Sequence, residues 1–148
     1  MTLSGLLSSR EPVDAGIYEF TAERIIEFAG TFDPHFFHLD AEKARTSLFG
    51  GLCASGWQVC AAAQKCTVDY LNSLAGPPGP TGMDFASVHD LKWLRPVFAG
   101  DVVRFTIARN AELTDPDGRL TGLTCEGTNQ DGLKVIRFVG TIADRTGP

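Results

Sequence analysis

The sequence predicts an α+β domain in which an antiparallel sheet wraps around one long apolar helix. Three observations carry that expectation. Helical patterns crowd the first half of the chain, and strand patterns with short turns fill the second half. Between them, about Ser55 to Leu74 is apolar over most of its circumference in its first half. Helices followed by consecutive strands give an α+β order with an antiparallel sheet, and a helix apolar nearly all round is a buried one.

The elements follow in order. Residues 1–20 read as a leader with one short strand around Ile17–Phe20. Thr21 is an N-cap for a helix to about Gly30 carrying Ile25, Ile26 and Phe28. Thr31 to Asp40 reads as a loop, and Ala41–Thr46 as a helical turn or two capped by Asp40. The long helix ends at the run Gly76-Pro77-Pro78-Gly79-Pro80. Phe85–Trp93 then alternates as a strand, and Val102–Ala111 follows the Gly100-Asp101 turn. Asp115-Pro116-Asp117-Gly118 leads into Leu120–Asn129, and Gln130-Asp131-Gly132 into Leu133–Ala143. Val102, Ile136, Phe138 and Ile142 do not share one parity with Val135 and Val139. The outer sheet face therefore calls for cover, most simply by a second subunit.

Composition narrows the function classes. The 148 residues suit one domain, 1–148, able to bury a core without disulfide or metal staples. A net charge of -5 gives no basic face for nucleic acid, although Lys92, Arg95 and Arg104 could form a local basic patch. Cys53, Cys60, Cys66 and Cys125 have no zinc or redox spacing and read as buried thiols of a reducing compartment. Met1 to Arg10 carries no signal-peptide pattern. Gln58, Gln64, Lys65 and Asp69 interrupt the apolar segment, so it is not a membrane span. A cytoplasmic location is expected.

Chemistry concentrates in Asp33-Pro34-His35-Phe36-Phe37-His38-Leu39-Asp40, two carboxylates and two imidazoles in eight residues. Taken singly, Asp33 is a turn or helix-end residue and His38 a histidine tied to a backbone carbonyl. Together with the glycine-rich Phe49-Gly50-Gly51-Leu52-Cys53-Ala54-Ser55-Gly56-Trp57, they form a kit for proton transfer on a carbonyl compound. The spacing matches no standard zinc pattern, and no metal is expected. His89 reads as a structural or interface residue, and Trp57 and Trp93 as core or interface. No G-x-S-x-G, P-loop or dinucleotide fingerprint is present.

These two segments, with Leu91-Lys92-Trp93-Leu94-Arg95-Pro96-Val97-Phe98-Ala99-Gly100-Asp101, resemble the MaoC-like dehydratases, the hot-dog-fold (R)-specific enoyl-CoA hydratases. The resemblance runs from about Ile17 to Ala143. It implies a hot-dog fold and a lyase that adds water across a trans-2-enoyl-CoA thioester, or removes it. By motif position it assigns Asp33 and His38 as the acid/base pair and the Gly56 backbone N–H as the donor to the thioester carbonyl. Either of Asp33 and His38 could act first. Ser55, Trp57 and Arg95 are the candidate substrate contacts, Arg95 toward the phosphates of coenzyme A. No cofactor is implied, because coenzyme A belongs to the substrate; a homodimer or a dimer of dimers is. Two positions depart from the family pattern, with His35 where an amide is usual and Phe36 where proline is usual. An acyl-CoA thioesterase and a non-catalytic, acyl-binding subunit of a heteromer are the competing functions.

Overall fold

The computed structural model describes residues 2–74 and 82–144. A short helix α1 (Leu3–Ser8) and strand β1 (Val13–Glu19) precede helices α2 (Ala22–Phe32), α3 (Phe36–Leu39) and α4 (Ala41–Ala44). The long helix α5 (Gly56–Leu74) follows, then strands β2 (Met83–Trp93), β3 (Val102–Asn110), β4 (Leu120–Thr128) and β5 (Lys134–Asp144). The described strands form one antiparallel sheet in the order β1-β3-β4-β5-β2. This is the expected α+β hot-dog architecture, with α5 against the sheet.

Strand periodicity explains the core. Val103, Phe105 and Ile107 of β3 and Leu123 and Cys125 of β4 are fully buried, each two residues from the next and so on one face. They share one cluster with Val59, Ala62, Ala63, Cys66 and Leu71 of α5. Burying a Val, Leu, Ile or Phe side chain contributes about 1.5–3 kcal/mol. The small residues of α5 let the helix and sheet backbones approach.

Several expectations are corrected. The leader holds α1, capped by the Thr2 hydroxyl, and its Leu6 is 1% exposed in the core. Six residues are too few for the helical period to stand out in sequence. The first strand begins at Val13 rather than Ile17, and a register shift between Asp14 and Gly16 accompanies φ +124° at that glycine. The span expected as a loop is mostly helical, because α2 runs on to Phe32 and α3 adds a turn. Helix α5 is buried on one side only: Trp57 and Ala61 are exposed, whereas polar Gln58 and Thr67 are inside. The helix ends at Leu74, and the proline-rich run after it lies outside the described residues. No basic patch forms from Lys92, Arg95 and Arg104. Arg104 on β3 pairs with Asp14, and β4 and β5 lie between it and β2, where Lys92 pairs with Asp90 at 3.2 Å.

Cys125 supplies a test of the helix–sheet packing. Burial pushes its thiol up from the ordinary 9.0 to about 12. In the unfolded chain the thiol ionises near its ordinary value, while in the fold it stays protonated. The resulting stability is complete below about pH 9 and is lost as pH rises toward the folded value. Melting temperature should therefore fall between about pH 9 and 11, and less steeply in Cys125→Ala. Equal slopes would contradict this.

Candidate active site

Asp33 ends α2 because Pro34 disfavours helical backbone at the residue before it. Its N–H still bonds the Ala29 carbonyl, but its backbone has turned to φ -154°, ψ 69°. One turn of α3 then brings His38 back toward Asp33. The loop is fixed from outside by the segment before α5. Cys53 N–H donates to the Phe37 carbonyl at 3.1 Å, while Ala54 N–H and Ala99 N–H bond Val97 and Leu52 carbonyls at 2.7 and 3.0 Å.

His38 is 6% exposed, and its Nδ1 lies 2.6 Å from the Cys53 carbonyl oxygen. A carbonyl only accepts, so Nδ1 carries a hydrogen and Nε2 is the nitrogen that exchanges its proton. That Nε2 lies 3.4 Å from Asp33 Oδ2. The same oxygen accepts from Ser55 Oγ–H at 2.7 Å. The other oxygen, Oδ1, has His35 Nε2 at 3.5 Å, and the His35 ring stacks on Phe37 at 5.2 Å. Asp33 is thus a helix-end residue and His38 a carbonyl-tied histidine, as their ordinary roles require, and the two also set a carboxylate oxygen against an imidazole nitrogen.

Ser55 is fully buried and serves twice, since its Oγ also accepts the Trp57 N–H at 3.3 Å. The Gly56 N–H heads α5 and has no acceptor among the described residues. Unpaired N–H groups and the helix dipole favour negative charge at this point.

A cavity of about 410 Å³ opens beside the cluster, lined by Asp33, His38, Gly56, Trp57 and Arg95. Ser55 stands behind it. Buried Val59, Val97 and Val135 give the cavity apolar walls, and Phe37, Phe49, Trp93 and Leu94 add larger ones. Arg95 is exposed and donates one N–H to the Lys134 carbonyl at 2.8 Å. Cys53 also lines the cavity. Burial, aided by the Asp33 charge, pushes its thiol up to about 11, so it is a protonated wall rather than a nucleophile. Another cavity, of about 370 Å³ beside α2 and α5, holds Arg24, Glu27 and Lys65 but neither member of the pair.

The sequence-predicted residues separate accordingly. Asp40 caps α4, accepting from Glu42 N–H and Lys43 N–H, and stands apart from the pair. His89 is exposed on β2 and bonded to Ser87. Of the two readings of Trp57 and Trp93, core and interface, the core is ruled out: they are 59% and 46% exposed and meet edge-on at 5.0 Å beside the cavity. Sequence reasoning missed Phe37, Phe49 and the backbone of Cys53 as parts of the site. The apolar residues flanking His38 were the available signal for Phe37; a backbone role leaves none.

A MaoC-like domain model matches residues 9–120. The chain belongs to the MaoC-like domain family. It is 32% identical to the MaoC-like dehydratase of Rhodospirillum rubrum, with TM-score 0.76 over 100% of this chain and 99% of that one. It is 34% identical over 119 residues, 80% of each chain, to the uncharacterized protein YdeM of Bacillus subtilis. The R-hydratase PhaJ1 of Pseudomonas aeruginosa shares the fold at 19% identity and TM-score 0.74, over 97% of this chain and 84% of that one. No helix among the described residues of this MaoC-like chain is long and apolar enough to cross a membrane.

The Ser55 hydroxyl joins the helix start to the loop, so removing it should be costly. Ser55→Ala loses a cap and a charge-assisted bond, and should destabilise the fold by about 1–3 kcal/mol. A lowered urea midpoint at unchanged slope is the expected observation.

Proposed function

We propose that this MaoC-like protein is an enoyl-CoA hydratase/dehydratase, a carbon–oxygen lyase acting on trans-2-enoyl thioesters. The observation that carries the reading is the pair His38 Nε2 and Asp33 Oδ2, 3.4 Å apart beside the cavity, with the opposite face of the imidazole locked to Cys53. Because Nδ1 is committed, the proton that moves in catalysis can only be on Nε2 or on the carboxylate.

Hydration needs a base that takes a proton from water as its oxygen bonds to C3, and an acid that gives a proton to C2. Two adjacent groups on one loop can serve one water in both roles, which suits syn addition. One member of the pair gains a proton and the other loses one. Transfer between Oδ2 and Nε2 then restores the starting state, and no outside acid or base is consumed. Each group contributes roughly 10²–10⁴-fold. Negative charge growing on the thioester oxygen falls to the unpaired Gly56 N–H, worth roughly 10²–10³-fold. Trp57 would line the acyl end and Arg95 would meet coenzyme A phosphates at the exposed side of the cavity. Coenzyme A arrives with the substrate, and the chemistry asks for no further cofactor.

Asp33→Asn and His38→Ala should each lower hydration of crotonyl-CoA by at least about 100-fold with an unchanged circular dichroism spectrum. Loss of the conjugated enoyl-thioester absorbance measures this directly. Full activity in both variants would end the hydratase reading, and release of free thiol from a saturated acyl-CoA would favour the thioesterase instead.

We also infer a homodimer formed along the β2 edge. Val88, Trp93 and Leu94 are exposed there, and a groove lined by Trp57, Cys60, Phe85, Val88 and Phe138 runs beside them. A cluster of this kind is the usual mark of an interface. Sedimentation should give twice the chain mass of 15.9 kDa, and Val88→Asp should shift the protein toward monomer.

A further inference from the structure

Any residue except proline supplies a backbone N–H, so a donor role does not by itself call for glycine at position 56. Backbone conformation does not call for it either, because Gly56 is not among the positive-φ glycines. The constraint comes from a side chain. A Cβ at position 56 would lie 2.6 Å from both Cε2 and Nε1 of Trp93, well inside the separation at which such atoms attract. The same indole is bonded there, with Nε1–H donating to the Gly56 carbonyl at 2.8 Å.

Trp93 is the last residue of β2, paired across the sheet with Ile136 of β5. It therefore joins the sheet to the first residue of α5. The preceding residue, Ser55, is joined to Asp33 at 2.7 Å. Two consecutive residues at the helix start are thus held by two different elements, one the loop of the acid/base pair and the other the sheet. With the loop tie alone, the first turn could tilt about it and re-aim the Gly56 N–H relative to Asp33 and His38. A misplacement of about 1 Å in such a site can cost roughly a hundredfold in rate.

We propose that Trp93 is a positioning residue that aims the Gly56 N–H at the thioester oxygen. It does so through its bond to the Gly56 carbonyl and by filling the space a Cβ would need. The inference rests on the hydratase reading for the reaction, and it makes glycine and indole one unit.

The test compares Trp93→Phe, Trp93→Leu, Gly56→Ala and the double variant Gly56→Ala/Trp93→Leu with the wild type, using crotonyl-CoA turnover and thermal melting. Trp93→Phe keeps a ring and removes the N–H. Its kcat should fall roughly ten- to a hundredfold with KM within about twofold and little change in melting temperature. Gly56→Ala should melt lower than wild type, and adding Trp93→Leu should recover part of that loss instead of adding to it. An unchanged kcat in Trp93→Phe, or additive melting losses in the cycle, would overturn the proposal while leaving the hydratase reading standing. A wild type that turns over no enoyl thioester would overturn both.

Discussion

Both peptide groups of Cys53 are spent on the loop that carries Asp33 and His38. Its N–H holds the Phe37 carbonyl and its C=O holds His38 Nδ1. One residue of extended backbone thus decides where the loop sits and which imidazole nitrogen is free. Cys53 is itself bridged to Phe98, and its neighbours bond to Val97 and Ala99. The position of the pair is in this way referred to the strand side of the molecule. The side chain of Cys53 adds weak contacts to the same partners, its Sγ lying 3.9 Å from the Phe37 carbonyl oxygen and 3.7 Å from His38 Nδ1.

The site is a meeting of four pieces of chain. The end of α2 gives Asp33, the turn α3 gives His38, the start of α5 gives Gly56, and the end of β2 with the segment after it gives Trp93 and Arg95. Each piece ends or begins a regular element, where backbone groups have no partner within the element. Those spare groups are what the site is assembled from. The long helix supplies its unpaired N–H, and the helix end supplies a carboxylate free of the helical ladder.

Much of this was legible in the sequence, for reasons that differ between elements. The strands after Gly100 showed themselves through period-two apolar residues and turn signals such as Asp115-Pro116-Asp117-Gly118. Thr21 and Asp40 acted as the caps their types favour. Asp33 and His38 stood out because two carboxylates and two imidazoles crowd eight residues, whereas Gly56 was singled out by its match to the family motif. What escaped was set by tertiary contact. The apolar face of α5 gave no sign that Trp57 would lie outside it and Gln58 inside. The two tryptophans read as core or interface because large rings are generally covered, and nothing in the sequence put Trp93 beside Gly56. The distance between Trp93 and Gly56, 37 residues apart in the chain, depends on how the sheet folds over the helix.

The exposed pair of indoles has a consequence for observing the protein. The chain contains two tryptophans, Trp57 and Trp93, and both line the same cavity beside Asp33 and His38. Indole fluorescence therefore arises entirely at the candidate site, with no background from a buried tryptophan elsewhere. A molecule that enters the cavity changes the solvent around both emitters at once. The protein carries its own optical reporter of occupancy, available without labelling and independent of whether the bound molecule reacts.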